Sequence, residues 1–308
     1  MERQRNGSQP QHNGSALAAT RASLLGVNPD TPERRTTMTA RLARLAGLGT
    51  ALTVFLVTAA GCDPAGSTSD HGAATADSPS AVAPRDALLN AVPDESTGAY
   101  HFAIKGGSTP MSGVLDAPKK TIRLEISQHE ANPDFTLDMK FLVIEQKAWT
   151  KITITPSALP GLPKLPNKWM LLDTRKIKDK DNGPLAYGQE ADPGSAMAVF
   201  QNASDVQRTS TGHFAGVTDL TKATEAEIVD GATLTALGDK AKKIPFTAVV
   251  DTKGRLTSAV VKIPATAKTK AAIYAITYDG YDSTETPVAP AAGEQQKAVS
   301  AVYEMLNG

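Results

Sequence analysis

The sequence predicts an α+β fold in which a single strongly curved antiparallel sheet of about ten strands is covered by helices on its concave side. Ten short runs between residues 100 and 278 favour strands, most of them alternating apolar and polar residues as strands with one buried face do. Turn residues such as Gly106 and Gly107 separate neighbouring runs and favour antiparallel pairing. Three or four helical segments are interspersed among the runs, which is typical of an α+β domain.

The first part of this domain is predicted to be one short helix followed by four strands. Residues 85–92 follow Pro84 and read as a helix that packs through Leu88, Leu89 and Val92. The apolar positions then recur at every second residue. The four strands are predicted around Tyr100, Phe102 and Ile104; around Ile122, Leu124 and Ile126; around Phe135, Leu137, Met139, Phe141 and Val143; and over residues 148–154.

The middle of the chain is predicted to be mostly irregular. Residues 155–168 contain four prolines, so we expect a loop or lid there. A strand over residues 169–173 and a polar, Lys- and Asp-rich loop to about Gly188 follow. Residues 193–200 then read as the start of a helix with a proline near its first turn.

The last part of the chain is predicted to return to strands and to end on a helix. We expect a helix over residues 232–242 and a closing helix over residues 294–306, whose apolar residues fall on one stripe. A tight turn at residues 251–254 predicts a hairpin. The remaining strands are predicted over residues 205–210, 213–220, 245–250, 256–263 and 271–278.

The interior of this sheet suits an apolar cavity as readily as a plain core. Only 5% of the residues are aromatic, so aliphatic side chains would line most of it. Trp149 and Trp169 lie near the Pro-rich segment. Such tryptophans more often fill space in a core than contact a ligand. The candidate apolar pocket consists of Tyr100, Phe102, Ile104, Ile122, Leu124, Ile126, Leu137, Met139, Phe141, Trp149 and Trp169.

The segment before the domain is predicted to be a lipoprotein signal peptide at residues 38–61. Met38 opens a short cationic stretch, and the 16 residues from Leu45 to Ala60 carry no charge. The run ends in small residues up to Gly61 and is followed by Cys62, which resembles a bacterial lipobox with Ala59 where Leu is usual. We therefore expect cleavage between Gly61 and Cys62 and lipid on the Cys62 thiol.

Three other interpretations of this segment are open. A general secretory signal with a chance cysteine, or an uncleaved membrane anchor, would leave Cys62 without lipid. A twin-arginine signal is suggested by Arg34 and Arg35, but Thr36 and Thr37 stand where hydrophobic residues should follow. Residues 1–37 are polar and without periodicity, so they are predicted to be a disordered extension, with translation starting at Met38.

The mature chain is predicted to be a tether followed by one folded domain. Residues 62–80 are almost entirely small and polar, which is typical of a flexible linker. Residues 81–308 are long enough for one sizeable core. Beyond residue 62 the chain holds 25 basic and 29 acidic residues, a balance that gives no reason to expect nucleic-acid binding.

The sequence offers no constellation for catalysis, for a metal or for a cofactor. It contains one cysteine, which excludes an intramolecular disulfide, and none of the common catalytic or nucleotide-binding motifs. His101 and His213 lie on predicted strands and read as structural residues, and His129 reads as part of a solvated turn. Asp181, Glu190 and Asp192 belong to a charge-rich loop that is most simply solvated surface. We expect no enzyme activity and no cofactor.

Three segments resemble the actinobacterial lipoproteins of the LppX/LprG type, which belong to the LolA-like lipoprotein-carrier superfamily. They are residues 98–102 (Gly-Ala-Tyr-His-Phe), residues 213–220 (His-Phe-Ala-Gly-Val-Thr-Asp-Leu) and residues 244–256, with the Asp-Thr-Lys-Gly-Arg-Leu hairpin. The resemblance covers roughly residues 85–290. It implies a half-barrel sheet with helices over its mouth that encloses an apolar pocket for lipid acyl chains.

The expected function is that of an exported lipoprotein, anchored to the extracytoplasmic face of the cell membrane by lipid on Cys62. It would bind or carry a lipid or another hydrophobic ligand in an apolar cavity. The alternative is an anchored sensor or interaction protein with a solid core and no ligand. In that case residues 155–168 and the charged loop 173–190 would contact its partner. The sequence leaves the ligand, the protein partners and the oligomeric state open.

Overall fold

A computed structural model of the protein describes residues 82–107, 109–132, 134–157, 161, 163–178, 185 and 191–307. The described residues belong to one compact unit. The predictions for the extension 1–37, the signal segment 38–61, Cys62 and the tether 62–80 lie outside the described residues. So do Asp181 and Glu190 of the charge-rich loop.

Twelve strands form one open, mostly antiparallel sheet in the described part of the chain. The strand order is β12-β6-β5-β4-β3-β2-β1-β11-β10-β9-β8-β7, and all neighbours are antiparallel except β12 and β6, which are parallel. The strands are β1 Tyr100–Lys105, β2 Met111–Asp116, β3 Thr121–Ala131, β4 Asp134–Ile144, β5 Lys147–Thr155, β6 Trp169–Leu171, β7 Ala203–Ser210, β8 His213–Thr218, β9 Ile244–Val250, β10 Leu256–Ile263, β11 Ala272–Asp279 and β12 Gln295–Lys297.

The described helices are short and contribute few residues compared with the sheet. The α-helices are α1 Pro84–Leu89, α2 Ala196–Gln201, α3 Gly231–Leu237 and α4 Ser300–Asn307. Single turns of 3₁₀-helix occur at Thr174–Lys176, Thr224–Ala226 and Ala292–Glu294, and a longer one at Gly238–Lys243. The mixed α+β class and the single antiparallel sheet were therefore predicted correctly.

Each of the ten predicted strands overlaps a strand of the structure, but β2 was not predicted. Its sequence, Met-Ser-Gly-Val-Leu-Asp, lacks a clear alternation because Gly113 occupies one of its inward positions. Gly113 lies opposite both Phe102 and Leu124. A Cβ placed on it would lie 2.1 Å from the Arg123 carbonyl oxygen and 2.9 Å from the Phe102 ring. Glycine is thus required here by close packing, and close packing leaves no periodic signal in the sequence.

The closing helix was predicted too long, and its first turn is a strand. Residues 295–297 pair in parallel with β6, and the helix begins only at Ser300. The apolar stripe extended to Ala298 and Val299, but the backbone of β6 needs hydrogen-bond partners at this edge, and residues 295–297 provide them. Tertiary pairing therefore overrides the helical periodicity of these residues.

The other three helices also begin or end at different residues than predicted, and α1 ends at Leu89 rather than at Val92. α2 begins at Ala196 rather than at Pro193, because residues 193–195 form a turn in which Ser195 has φ 53°. α3 begins after Asp230, whose carboxylate caps the Thr233 amide at 2.6 Å. It ends at Leu237, and a 3₁₀-helix follows from Gly238, which has φ 53°.

One face of the sheet, here called the apolar face, carries the core. The side chains of Tyr100, Phe102 and Ile104 lie on it, and the registers continue the same face into the neighbouring strands through Leu115, Ile276 and Tyr278. Buried side chains from all four helices, among them Leu88, Phe200, Leu237 and Val302, belong to the same apolar cluster. The sheet and the helices therefore share one hydrophobic core.

The opposite face, here called the outer face, is mostly polar but is crossed by the C-terminal segment. β11 lies in the middle of the sheet and β12 at its edge, so residues 280–294 pass over the strands between them. Thr286 donates to the buried carboxylate of Asp116 on β2, and Gln295 accepts from the Trp149 indole of β5 at 2.8 Å. Val114, Leu142 and Trp149 are buried on this face.

Candidate functional site

Nine of the eleven residues predicted to line a pocket lie together on the apolar face. They come from β1, β3 and β4, and they meet across the strands in register. Leu124 lies opposite Phe141, and Ile126 lies opposite Met139. These nine are Tyr100, Phe102, Ile104, Ile122, Leu124, Ile126, Leu137, Met139 and Phe141.

The two tryptophans lie on the outer face, away from the other nine. Thr150 and Ile152 share the apolar face with Phe141 and Met139, so strand alternation points Trp149 to the other side. Trp149 pairs with Leu171, and Trp169 pairs with Gln295. Both tryptophans therefore belong with the C-terminal segment that crosses the outer face.

The nine apolar-face residues are closely packed. Tyr100, Ile122 and Leu124 have no exposed area, and the largest exposed fraction in the set is 4%, for Ile104 and Met139. A side chain that borders an internal void wide enough for a water molecule would also have exposed area. Each of these side chains is therefore in contact with other atoms on nearly all sides, and a ligand on this face would have to displace some of them.

Different kinds of segment pack against different parts of the apolar face. Beside β8–β11 the buried residues come from α2, α3 and the following 3₁₀-helix. The described residues of the connections 156–168 and 172–191 that pack against the core are isolated side chains: Leu165, Leu172 and Leu185. Within the described residues, these connections have one short 3₁₀-helix and no α-helix. Fewer backbone hydrogen bonds hold such segments in place than hold a helix.

A cluster of tyrosines fixes the turn before α2 to the middle of the sheet. Tyr100 donates to the carbonyl of Ala191, Tyr274 donates to the carbonyl of Gly194 at 3.1 Å, and Tyr278 donates to the Asp192 carboxylate. Tyr100 and Tyr278 meet edge to face with ring centroids 5.6 Å apart. Three hydroxyls from β1 and β11 thus bind three residues of the turn, Ala191, Asp192 and Gly194.

Asp192 is the acidic member of this cluster. Its carboxylate also accepts from the Met197 amide at 2.7 Å and thereby caps the start of α2. Burial raises the pKa of Asp192, and the bonds from the Met197 amide and the Tyr278 hydroxyl oppose that shift. Burial and the nearby Asp192 charge raise the pKa of Tyr278 well above its usual value. The tyrosines therefore act as neutral hydrogen-bond donors.

The sequence did not single out this cluster. Asp192 was considered only as part of a charge-rich surface loop, and Tyr274 and Tyr278 only as strand residues. The available signal was the spacing of Tyr274 and Tyr278, four residues apart on one face of a strand. A buried tyrosine needs a partner for its hydroxyl, so two on one apolar face predict a polar segment packed above them.

The described residues contain no group of three or more His, Cys, Asp or Glu side chains that could hold a metal ion. His101 and His213 lie on β1 and β8 with exposed side chains. His129 is exposed near the β3–β4 turn, 3.8 Å from the Asp134 carboxylate. Within the part of the chain that the structure describes, no helix is both long and apolar enough to cross a membrane.

Comparisons with known proteins add no family to these observations. No model of a protein family matches the chain, and no curated protein matches it either. The functional argument therefore depends on the residues and the geometry described above.

Proposed function

We propose that this protein is an exported lipoprotein that binds a lipid or another hydrophobic ligand against the apolar face of its sheet. The observation that carries the proposal is the apolar face itself. It continues without interruption from β6 to β8, and part of its cover comes from irregular connections. An extended apolar surface under segments that open at low cost suits a ligand of the same chemistry.

The ligand would lie over β3, β4 and β5. Most of the buried side chains there are aliphatic or aromatic, and Thr150 is a polar exception. From the Pro-rich and charge-rich connections, the described residues Leu165 and Leu185 pack against the same core. We propose that the ligand displaces these side chains and contacts Ile126, Leu137 and Met139. An acyl chain in their place would restore the buried area, at about 0.8 kcal/mol per methylene.

The turn at residues 191–195 would form a fixed border of this site. Its hydrogen bonds to Tyr100, Tyr274 and Tyr278 hold it on β1 and β11. A half-barrel sheet with helices over its concave side, as the resemblance to the LppX/LprG type of lipoprotein implies, would enclose the ligand between this border and the β6 edge.

The proposed location is the extracytoplasmic face of a membrane, with lipid on Cys62 as the anchor. The signal-like segment 38–61 and the small, polar residues 62–80 support this location. Two or more acyl chains at one residue suffice for stable anchoring, whereas one chain does not. The folded domain would then reach its partners or ligands at the end of an extended tether.

A second candidate is an anchored interaction protein with a solid core and no ligand. The specific observation in its favour is the complete burial of Tyr100, Ile122 and Leu124. A core already packed to this degree gains nothing from a ligand. The exposed residues of the connections at 155–168 and 173–178 would then be the contact surface.

One experiment separates the two candidates. The protein is purified from its membrane and extracted with organic solvent, and the extract is analysed by mass spectrometry. The protein, freed of any co-purified lipid, is then titrated with a fluorescent fatty acid. The ligand-binding function predicts co-purifying lipid and saturable binding of one probe per chain. Absence of both would overturn that function and support the solid-core protein.

Two variants locate the probe. Met139→Gln places a polar amide on the apolar face, and we expect it to weaken probe binding at least tenfold. Thr136→Gln, on the outer face of the same strand, is the matched control and should bind the probe as the parent does. Equal binding by both variants would place the probe elsewhere and contradict the proposed site.

A further inference from the structure

The β10–β11 hairpin has an unusual charge distribution. Residues 256–278 contain three lysines and no acidic residue. Lys262 lies on β10, and Lys268 and Lys270 lie in the connection to β11. All three are exposed. The acidic residues that flank the hairpin, Asp251 and Asp279, lie at the opposite end of these strands.

A fourth lysine from β1 extends this positive surface. Lys105 lies opposite Ala275, which places it on the outer face two residues from Ile273. The end of β1 approaches β11 closely, since a Cβ placed on Gly106 would lie 2.0 Å from the Ile273 carbonyl oxygen. Lys105, Lys262, Lys268 and Lys270 are here called the lysine end of the sheet.

Five other lysines in the described part of the chain form ion pairs, whereas the lysines of the lysine end do not. Lys140 pairs with Glu125 at 3.0 Å, and Lys242 pairs with Asp239 at 2.8 Å. No described carboxylate lies within 4.0 Å of a lysine at the lysine end. The positive charge of these four side chains therefore faces solvent without an ion pair.

An exposed apolar residue lies among them. Ile273 is 58% exposed and lies directly opposite Lys262 on the outer face. The segment that carries Ile228 packs on the apolar side, since Ile228 belongs to the core cluster and its carbonyl oxygen would lie 3.6 Å from a Cβ placed on Gly107.

The tip of the hairpin is ordered by two threonines. The Thr269 amide donates to the Thr266 hydroxyl at 2.9 Å, and the Thr266 amide donates to the Thr269 carbonyl at 2.9 Å. The Lys268 amide also donates to the Thr266 hydroxyl at 3.1 Å. Lys268 and Lys270 are therefore held on a turn of defined shape.

We propose that the lysine end of the sheet rests on the surface of a bilayer that contains anionic phospholipids. Unpaired lysines near such a surface contribute about 1 kcal/mol each, and Ile273 would enter the interface beside them. The inference rests on the proposed anchor at Cys62, which would keep the domain close to a bilayer. It concerns the orientation of the domain and not the ligand on the apolar face.

Lysine footprinting of the whole protein tests the proposal. The protein is incorporated into vesicles of phosphatidylcholine, with or without phosphatidylglycerol, and treated with an amine-reactive reagent. On the anionic vesicles we expect all four lysines of the lysine end, including Lys105, to react several-fold more slowly than on the neutral ones. High salt should remove the difference. Lys147 and Lys164 should react equally on both.

Two charge-matched variants complete the test. The combined change Lys262→Gln, Lys268→Gln and Lys270→Gln should weaken the surface contact about a hundredfold, so that Lys105 loses its protection. The control Lys147→Gln, Lys164→Gln and Lys297→Gln should keep it. Equal reaction rates on both vesicle types, or protection of all lysines alike, would overturn the proposal. A failed anchor is recognised separately, because the protein would then not sediment with either vesicle.

Discussion

Single residues fix the packing of the sheet at positions where no substitute fits. Gly113 and Gly194 are the clearest cases, because a Cβ on either would overlap neighbouring atoms. At Gly194 the neighbours are the side chains of Ile276 and Tyr278, at 2.5 and 2.8 Å. The turn that the tyrosines bind can therefore approach the sheet only because residue 194 lacks a side chain.

Gly113→Ala is expected to lower the free energy of unfolding by about 2 kcal/mol or more, since β2 must move away from β1 and β3 to make room for the methyl group. Chemical denaturation measures this difference. The control is Gly98→Ala, where nothing lies within 4 Å of the added Cβ. It should change stability by less than about 0.5 kcal/mol. Equal effects of the two substitutions would contradict the packing described for Gly113.

Asp192 makes stability depend on pH in a direction opposite to that of the ion-paired acids. Burial raises its pKa in the folded state above the usual 3.8, so the folded chain binds the proton more tightly than the unfolded chain. The stabilisation that protonation of Asp192 contributes is completely present below pH 3.8, the ordinary pKa of the residue in the unfolded chain. It is lost as the pH rises through the raised folded pKa.

Asp192→Asn should remove this dependence. Between about pH 4 and the folded pKa of Asp192, the free energy of unfolding should fall with pH more steeply for the parent than for the variant. Asp251 and Asp282, whose pKa values are lowered beside Arg255, contribute the opposite slope to both proteins and cancel in the comparison. Parallel stability curves for parent and variant would show that Asp192 does not titrate as described.

At the scale of elements, the C-terminal segment behaves as an addition to a sheet that is otherwise complete. Residues 280–294 cross the outer face, β12 extends the β6 edge, and α4 returns to the core through Val302. The Asn307 side chain accepts from the Lys178 amide at 2.8 Å and donates to the Lys176 carbonyl at 2.9 Å, which holds the end of α4 on the segment after β6.

Val302→Asp should detach α4 and leave the rest of the sheet folded. Val302 has no exposed area, so an aspartate there would bury an unpaired charge. We expect much faster amide hydrogen exchange over residues 295–307 and unchanged exchange in β9, β10 and β11. Glu304→Gln, an exposed change on the same helix, is the control. Loss of protection throughout the sheet would mean that α4 is an integral part of the core.

At the scale of the whole molecule, the proposed lipid anchor at Cys62 would determine where the protein is. If lipid on this residue is the anchor, Cys62→Ser should block lipid attachment and processing, and an unlipidated precursor should accumulate. Removal of residues 1–62 should give a soluble, folded domain. Metabolic labelling with a radioactive fatty acid and fractionation of membranes measure both results. A Cys62→Ser protein that is processed and fractionates with membranes as the parent does would contradict the anchor.

The sequence alone determined the class of the fold and most of its strands. The period of two in β1, β3 and β4 predicted both the strands and the face that Tyr100, Leu124 and Met139 share, because alternation is a local property of a half-buried strand. The composition of residues 38–80 likewise suffices to predict a signal segment and a tether, since both depend on local hydropathy and charge.

Only the tertiary structure decided which segments meet. β2 and β12 are strands because neighbouring strands offer them backbone partners, and the local sequences carry no such signal. The same holds for Trp149 and Trp169, which lie on the outer face with the C-terminal segment. It also holds for Asp192, which is bound by Tyr278 of a distant strand. These contacts join residues far apart in the chain, and their free energy depends on atoms that local periodicity does not describe.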